Sequence, residues 1–242
     1  MTYEICDVHA HILPNMDDGC KTPEESIAVL QACYAQGVRR VFATPHYYPV
    51  ETVEAFLKRR DASMALLSEH IAKCTQPLPE ICLGAEVAYR PGIDHEKQLQ
   101  KLCLGKSNYL LLELPMGGIG EDVVRTVRNI CFVQGVTPII AHVERYMKTS
   151  QMPILAKILK EDVLVQLSAA YLLKNTTRRQ GKRLIQDGFV QLLGTDMHNN
   201  ETRKPNLAPA VAYLEKKRMH KQLEAMQELC RIIYSEATGT IA

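Results

Sequence analysis

The chain has 242 residues, 46% of them hydrophobic, which is enough for one well-packed domain and too few for two domains of ordinary size. Its 29 lysine and arginine residues almost balance its 27 aspartate and glutamate residues, and the formal net charge is +2. This balance gives no electrostatic reason to expect a nucleic-acid partner or adhesion to a membrane. We therefore predict a single domain over residues 1–242.

The N-terminal segment lacks the basic region and long apolar core of a signal peptide, and no apolar stretch approaches the roughly 18 residues of a membrane span. Most of the eight cysteines fall in apolar periodic segments, and no two of them form a CxxC pair. A free cysteine in such a segment behaves as a small buried hydrophobe, and disulfide-dense chains are usually much shorter. The sequence thus predicts reduced thiols in a cytoplasmic protein without membrane insertion.

Short apolar runs alternate along the chain with longer segments whose apolar residues recur at three- and four-residue spacing. In the first predicted helix, Thr22, Pro23 and Glu25 form a capping box with proline at the first helical position, and Gly37 ends the helix. The candidate strands are Tyr3–Val8, Val38–Ala43, Glu80–Ala85, Tyr109–Glu113, Thr137–Ala141, Val163–Leu167 and Val190–Gly194. Seven strand–helix units in succession predict an α/β protein with parallel strands.

Histidine or carboxylate side chains stand at the ends of six of the seven candidate strands. In chain order they are His9, His11, His46, Glu86, Glu113, His142, Asp196 and His198. In a closed (β/α) barrel the C-terminal strand ends converge on one face, where the active site is built, whereas an open sheet would spread them along a line. The pattern favours a seven-stranded, TIM-like (β/α) barrel with its site at the C-terminal ends of the strands.

These residue types are those that bind metal ions. Two imidazoles at i and i+2 on an extended segment, as in His9-x-His11, point to the same side and can bind one ion, although such a pair alone is more often incidental. Asp17 and Asp18 follow in a turn-forming segment, where aspartate is also common for structural reasons. Each residue taken alone could be a hydrogen-bonded strand-end residue or a helix cap. It is much less plausible that ligand-type side chains stand at the ends of six strands by coincidence. Five histidines and four carboxylates exceed the ligands of one zinc site, and without thiolate they indicate two or three ions of Mn, Fe or Zn.

The motifs resemble those of the polymerase and histidinol phosphatase (PHP) superfamily, and among its members the bacterial tyrosine phosphatases associated with capsular and exopolysaccharide synthesis. They are His9-Ala-His11-Ile-Leu-Pro, Asp17-Asp18-Gly19, Ala-Thr-Pro-His46-Tyr, Gly-Ala-Glu86, Glu113-Leu-Pro, His142-Val-Glu-Arg145-Tyr and Gly-Thr-Asp196-Met-His198-Asn. The resemblance covers the chain from Asp7 to Arg203 and implies a distorted (β/α)7 barrel of the PHP fold.

The resemblance also implies the composition of the site. It implies a trinuclear centre, usually of manganese, with Fe, Zn, Mg or Co as other candidate ions, and two arginines, Arg145 and Arg203, that contact substrate phosphate. The implied metal ligands are His9, His11, Asp18, His46, Glu86, Glu113, His142, Asp196 and His198. Only motif alignment favours Asp18 over Asp17 as the ligand.

By this resemblance we expect a protein-tyrosine phosphatase that hydrolyses phosphotyrosine by metal-hydroxide attack, without a phosphocysteine intermediate. The expected partner is a phosphotyrosine protein, such as the tail of a bacterial tyrosine kinase that controls polysaccharide export. The alternatives are a phosphatase for small molecules such as histidinol phosphate, a PHP-type phosphodiesterase, and a metal-binding scaffold without catalysis. The sequence leaves the oligomeric state and the general acid open. Tyr47, Tyr48 and Tyr146 could either line the mouth of a pocket or pack in the core, and the sequence does not decide between the two.

A second phosphatase motif competes with this interpretation. Cys33 and Arg39 match the C-x5-R signature of cysteine-dependent tyrosine phosphatases. In those enzymes the thiolate lies in a phosphate-binding loop at a helix N-terminus, which lowers its pKa. Here Cys33 lies near the end of a predicted helix among apolar neighbours, where the helix dipole disfavours an anion. We therefore interpret the match as coincidental.

Overall fold

The computed structural model describes residues 3–48, 50–148 and 150–240. Its strands, numbered β1 to β9, are Asp7–Ala10, Arg40–Ala43, His46–Tyr47, Glu80–Leu83, Glu86–Ala88, Tyr109–Glu113, Thr137–Ile140, Leu164–Ser168 and Leu192–Gly194. Its α-helices, numbered α1 to α8, are Pro23–Ala35, Val53–Ile71, Glu121–Phe132, Met152–Ile158, Ala169–Leu173, Arg178–Gln186, Leu207–Lys216 and His220–Thr238. The order along the chain is largely that of alternating strands and helices, as the sequence pattern predicts.

All the strand pairs are parallel and wind in sequence order around a barrel. β1, β2 and β4 form one sheet, and β3, β5, β6, β7, β8 and β9 form a second. β3 follows β2 after a two-residue break that contains Pro45, which has no N–H to donate to a strand ladder. In the same way β5 continues the path of β4 past Gly84, so that seven strand positions carry nine short strands.

The first and last strand positions close the barrel. The backbone N–H of Asp196, just after β9, donates to the carbonyl of His9 at 2.9 Å, and the N–H of His11 donates to the carbonyl of Met197 at 2.9 Å. A parallel bridge between Ala10 and Met197 lies between these hydrogen bonds. The prediction of a distorted seven-stranded (β/α) barrel is therefore confirmed, because no pair of strand positions is left as an open edge among the described residues.

The sequence signals place some boundaries well and others poorly. Helix α1 begins as predicted, since the Thr22 side chain accepts a hydrogen bond from the N–H of Glu25 and Pro23 occupies the first turn. The predicted first strand, Tyr3–Val8, is wrong by several residues, because β1 spans Asp7–Ala10. It pairs with β2 only from Asp7 onward, so His9 lies inside the strand and not after it.

The core lies inside the barrel and between the strands and the surrounding helices. Apolar side chains such as Phe42 and Leu111 are completely buried there. Several polar side chains share this burial, among them Asp7 and His9 in β1, His11 directly after it and Gln166 in β8. Among the described residues no helix is long and apolar enough to cross a membrane.

Candidate metal centre

The structure brings all nine predicted ligand side chains to the C-terminal face of the barrel. His9 lies in β1 and His11 directly follows it, and both are fully buried on the same side of the chain because residues two apart on a strand share a face. The remaining seven lie at strand ends or in the loops that follow: Asp18 after β1, His46 and Glu86 at the starts of β3 and β5, Glu113 at the end of β6, His142 after β7, and Asp196 and His198 after β9.

The two histidines of the first strand position face each other across a very short gap. Nε2 of His9 lies 3.1 Å from Nε2 of His11. Glu86 Oε2 lies 3.1 Å and 3.2 Å from these two nitrogens, and Asp196 Oδ1 lies 3.5 Å and 3.4 Å from them. Two imidazole nitrogens and two carboxylate oxygens therefore converge on one small volume.

Glu86 connects this group to a second one. Its Oε2 lies 3.0 Å from Nδ1 of His46, and its Oε1 lies 2.8 Å from Nε2 of His142. Glu113 Oε1 lies 3.4 Å from the same His142 nitrogen. Burial disfavours the ionised form of Glu86, but the surrounding imidazoles of His9, His11, His142 and His46 outweigh it and hold the pKa of this carboxyl well below its usual range.

A third group lies closer to solvent. Asp18 Oδ1 lies 3.2 Å from Nε2 of His198 and 3.5 Å from Nε2 of His46, and its side chain is 64% exposed. His11 Nδ1 or Nε2 also lies within ligand distance of this group. Three sets of side chains, sharing His11 and His46, thus have the spacing of metal sites: His9, His11 and Asp196; His46, Glu86 and Glu113; and His11, Asp18, His46 and His198.

The neighbouring carboxylate of Asp17 has a different set of contacts. Its Oδ2 lies 2.7 Å from Nδ1 of His11 and accepts a hydrogen bond from the backbone N–H of His46 at 2.8 Å. Burial works against its charge, but the hydrogen bond from His11 prevails and lowers the pKa of Asp17 well below its usual range. The sharp turn brings Gly19 so close that a Cβ there would lie 2.2 Å from the carbonyl oxygen of His11. Asp17 therefore holds two histidines in place, while Asp18 points its carboxylate at the third group.

The donor set fits divalent metal ions. His46 Nδ1 and Glu86 Oε2 are buried and lie 3.0 Å apart, but neither has a partner at hydrogen-bonding angles among the described residues. Such unpaired acceptors are costly unless a cation satisfies them. The ligand atoms are imidazole nitrogens and carboxylate oxygens without thiolate, which suits Mn, Fe or Zn.

Three of the histidines are also oriented as metal-binding imidazoles are. Nδ1 of His11 contacts Asp17, Nδ1 of His198 lies 3.0 Å from the backbone carbonyl of Asp196, and Nδ1 of His142 lies 3.4 Å from the Tyr146 hydroxyl. In each of them Nε2 then faces the carboxylates of the cluster. Metal-binding histidines usually have such a hydrogen bond at the second ring nitrogen, which fixes the tautomer.

The two predicted phosphate-contacting arginines meet at the mouth of the cluster. Nη2 of Arg145 lies 2.6 Å from Oδ2 of Asp196, and Nη2 of Arg203 lies 2.5 Å from the same oxygen. Arg203 Nη1 also lies 2.6 Å from Nε2 of His198. Burial, the charge of His11 and the charge of Arg203 lower the pKa of His198 to about 4, so its imidazole is neutral at pH 7. About a third of each arginine side chain is exposed, so both head groups can reach a ligand in the mouth.

Sequence reasoning missed three residues that support the cluster, namely Asp7, Thr195 and Gln166. Asp7 is fully buried and accepts hydrogen bonds from the N–H and hydroxyl of Thr195 at 2.9 Å and 2.5 Å, which joins β1 to the loop after β9. Burial raises the pKa of Asp7 to about 6 although the Thr195 hydrogen bonds oppose this. Gln166, from the strand without a predicted ligand, contacts His9 and His142. Its only sequence signal is a polar residue inside an apolar run.

The tyrosines near the motifs divide into core and surface. Tyr47 and Tyr146 are almost completely buried and belong to the core. Tyr48 is 47% exposed, and its ring stacks on that of His46 with a centroid distance of 4.9 Å and an interplanar angle of 25°. Of these three tyrosines, Tyr48 is therefore the one that offers an aromatic face beside the cluster.

Cys33 does not have the surroundings of a nucleophile. It is fully buried in α1 with its Sγ 3.4 Å from Sδ of Met197, and burial raises the pKa of its thiol far above the usual value. The guanidinium of Arg39 bonds instead to the backbone carbonyl of Tyr34 at 2.9 Å. All eight cysteines are free, as predicted.

The closed parallel barrel with a histidine and carboxylate cluster at its mouth defines a β/α-barrel protein of the metallohydrolase type. Within that class, the family model described as "Capsular polysaccharide synthesis, CpsB/CapC" matches residues 5–231. The chain therefore belongs to the CpsB/CapC family, which confirms the resemblance identified from its motifs.

Curated relatives share about a quarter of their residues with this chain over most of its length. Tyrosine-protein phosphatase CpsB of Streptococcus agalactiae is 27% identical over 216 residues, covering 84% of this chain and 87% of the relative. Tyrosine-protein phosphatase YwqE of Bacillus subtilis is 29% identical over 221 residues, covering 87% and 84%. The putative tyrosine-protein phosphatase CapC of Staphylococcus aureus is 25% identical over 209 residues, covering 81% and 78%.

Solved structures place the fold among the same proteins. A chain from the crystal structures of YwqE from Bacillus subtilis and CpsB from Streptococcus pneumoniae, described as metal-dependent tyrosine phosphatases, superposes with a TM-score of 0.83 at 24% identity. The match covers 96% of this chain and 95% of that one. A D-hydantoinase shares the barrel architecture more distantly, with a TM-score of 0.55 at 8% identity over 93% of this chain and 68% of its own.

Proposed function

We propose that this protein is a metal-dependent protein-tyrosine phosphatase, a phosphoric monoester hydrolase. The observation that carries the proposal is the convergence of nine nitrogen and oxygen ligand groups, eight in the three sets and His142 beside Glu86 and Glu113, next to two arginines that share Asp196. Membership of the CpsB/CapC family and the names of its curated relatives support the same activity. Residues 1–242 form a single catalytic domain in this proposal.

The three sets of side chains would hold up to three divalent ions, and manganese is the ion we propose on the resemblance to the PHP superfamily. Ions bound there would supply a water of lowered pKa and would neutralise the phosphoryl oxygens. His9, His11, His46, Glu86, Glu113, His142, Asp18, Asp196 and His198 are the ligands in this proposal. Asp17 takes no ion, because both of its oxygens already accept hydrogen bonds or contact His11.

Arg145 and Arg203 bind the phosphate in this proposal. Each guanidinium presents several donors in a fixed fork, which matches the oxygens of a phosphate. In the structure both guanidinium groups contact one oxygen of Asp196, and Arg145 Nη1 lies 3.5 Å from Oε1 of Glu113. A phosphate that enters the mouth can take over donors from these carboxylates, and the arginines then stabilise the negative charge on the phosphoryl group as the ester bond breaks.

The two cysteines that could be considered for a covalent intermediate, Cys33 and Cys20, are both buried. The motif cysteine, Cys33, is buried in α1 and holds its proton. Cys20 is buried as well, with its Sγ directed at the backbone carbonyl of His198 at 3.5 Å, and burial raises its pKa to about 11. In this proposal hydrolysis proceeds by direct attack of water, without a phosphocysteine.

Tyr48 provides the contact for an aromatic leaving group. Its ring already stacks on His46, and about half of its surface remains exposed at the mouth. Burial together with the nearby carboxylates of Glu113 and Asp18 raises the pKa of Tyr48 to about 12, so the ring is a neutral phenol at pH 7. An exposed neutral ring beside the phosphate site can stack on the ring of a phosphotyrosine. The physiological partner we propose is a phosphotyrosine protein, such as a bacterial tyrosine kinase that acts in capsule synthesis, in the cytoplasm.

The experiment that tests this proposal compares turnover of three substrates by the Mn2+-loaded protein: a phosphotyrosine peptide, histidinol phosphate and a single-stranded oligonucleotide. We expect the phosphotyrosine peptide to be hydrolysed fastest. A preference for histidinol phosphate by orders of magnitude would instead indicate a small-molecule phosphatase, and cleavage of the oligonucleotide would indicate a phosphodiesterase. Metal binding without turnover of any of them would indicate a scaffold.

A further inference from the structure

Gln166 is a buried polar residue in β8, the strand position that supplies none of the proposed metal ligands. Its side chain is fully buried at the C-terminal face of the barrel. Its Oε1 lies 2.6 Å from the backbone nitrogen of His142 and 3.3 Å from Nδ1 of His9. One amide group of β8 therefore contacts a residue of β1 and a residue of the loop after β7.

These contacts fix which end of the amide faces the histidines. A backbone N–H can only donate a hydrogen bond, so the atom opposite the nitrogen of His142 must be the amide oxygen. The same oxygen can only accept, so Nδ1 of His9 must carry a proton to bond to it. Nε2 of a neutral His9 is then unprotonated, and its lone pair points at His11, Glu86 and Asp196.

The contact with His142 acts on the backbone. His142 has φ 33° and ψ 58°, a left-handed conformation that is unusual for a residue with a side chain. Its N–H is anchored on Gln166, and its imidazole then reaches Glu86 and Glu113 through Nε2. The same glutamine oxygen thus holds two imidazoles, one from β1 and one from the loop after β7, in the orientation in which Nε2 faces the cluster.

The other end of the amide indicates that Gln166 is not there for stability. Its Nε2 is buried without a hydrogen-bond partner among the residues that the structure describes. A buried unpaired donor costs free energy that an apolar residue would not. The amide fits beside β9 only because position 194 is glycine, where a Cβ would lie 2.9 Å from Nε2 of Gln166 and 2.8 Å from Cβ of His9.

We propose that Gln166 is a positioning residue of the metal centre, which fixes the tautomer of His9 and the backbone of His142 so that both present Nε2 to a metal ion. The inference rests on the proposed metal-dependent function. Hydrogen-bond partners of metal-binding histidines typically change metal affinity by about 10–100-fold when they are lost. We expect an effect of this size from Gln166.

The first test measures Mn2+ binding to the full chain by titration calorimetry and by metal analysis. Gln166→Met keeps the length of the side chain but loses the strong acceptor, and we expect it to bind Mn2+ about 10–100-fold more weakly. Gln166→Glu retains an acceptor and should bind more tightly than Gln166→Met. Gln191→Met is the matched control, because the Gln191 side chain also makes two hydrogen bonds to the backbone, accepting from the N–H of Val165 in β8 and donating to the carbonyl of Gly188, and neither residue is a proposed metal ligand.

Equal Mn2+ affinity of Gln166→Met and the wild type would overturn the positioning role, whereas a wild type that binds no Mn2+ would overturn the proposed function itself. A second measurement needs neither metal nor a substitution at 166. Two-bond 1H–15N correlations of the histidine rings in the metal-free wild type, with the His9 signals assigned through His9→Asn, should show the proton on Nδ1. A proton on Nε2 alone would contradict the inference even if Gln166→Met fails to fold.

Discussion

Arg145 and Arg203 each place one guanidinium nitrogen on the same oxygen of Asp196, at 2.6 Å and 2.5 Å. The two residues come from different loops, one after β7 and the other after β9. Two cations converge on one carboxylate oxygen only where the local charge is strongly negative, and here the acidic members of the cluster supply it. A bound phosphate would carry the negative charge that lets both arginines turn from Asp196 to the ligand.

We expect Arg145→Ala and Arg203→Ala each to lower kcat on a phosphotyrosine peptide by about 100–1,000-fold, the usual effect of removing one donor that stabilises transition-state charge. Neither arginine is a metal ligand, so metal content should stay at the wild-type level. Arg179→Ala, on the exposed face of α6, is the matched control and should leave kcat unchanged. Wild-type kcat in either loop variant would exclude that arginine from the phosphate site.

The metal requirement can be tested at the point where the ligand groups are most crowded. His9→Ala removes the nitrogen that lies 3.1 Å from both His11 Nε2 and Glu86 Oε2. We expect this variant to lose bound metal, measured by elemental analysis, together with phosphatase activity. His95→Ala alters a histidine with 82% exposure away from the cluster and should change neither quantity. Full activity of the wild type after exhaustive chelation would contradict the proposed mechanism.

The adjacent carboxylates Asp17 and Asp18 should behave differently when each is changed to asparagine. Asp18→Asn alters a group that faces His46 and His198, so we expect loss of one metal ion from the centre. Asp17→Asn weakens the contact that orients His11, so we expect all sites to remain but to bind about 10–100-fold more weakly. Metal titrations at fixed protein concentration separate a change in stoichiometry from a change in affinity. Loss of an ion from Asp17→Asn alone would reverse the assignment.

The sequence predicts the barrel and the gathering of the ligand-type residues at one face. Both could be predicted because these residues belong to short local motifs at or just after strand ends. Beyond motif alignment the sequence could not distinguish Asp17 from Asp18, since the difference is a turn around Gly19 that directs the two carboxylates at different histidines. It also passed over Gln166. A polar residue inside a short apolar run carries no sign of which face it occupies, and its contacts come from strands far away in the chain.

For the cysteine motif we predict no loss of activity, in contrast to the variants of the arginines and the metal ligands. Cys33→Ala should leave kcat on the phosphotyrosine peptide unchanged, because the thiol is buried against Met197 and its pKa is raised far above the usual value. The lost packing should lower the free energy of unfolding by about 1 kcal/mol, measured by urea denaturation. Loss of activity in a variant that is still folded and metal-loaded would revive the phosphocysteine mechanism.

Tyr48 should determine the preference for aryl esters over alkyl esters. Its ring stacks on His46 and leaves one face at the mouth of the cluster. Stacking between aromatic rings contributes about 0.5–1.5 kcal/mol, which corresponds to a loss of about 2–13-fold in kcat/KM for a phosphotyrosine peptide in Tyr48→Ala. Tyr48→Phe keeps the ring and should retain wild-type kcat/KM, and a phosphoserine peptide should be hydrolysed equally slowly by all three proteins. The prediction fails if Tyr48→Ala slows both peptides by the same factor, because Tyr48 would then act only by supporting His46.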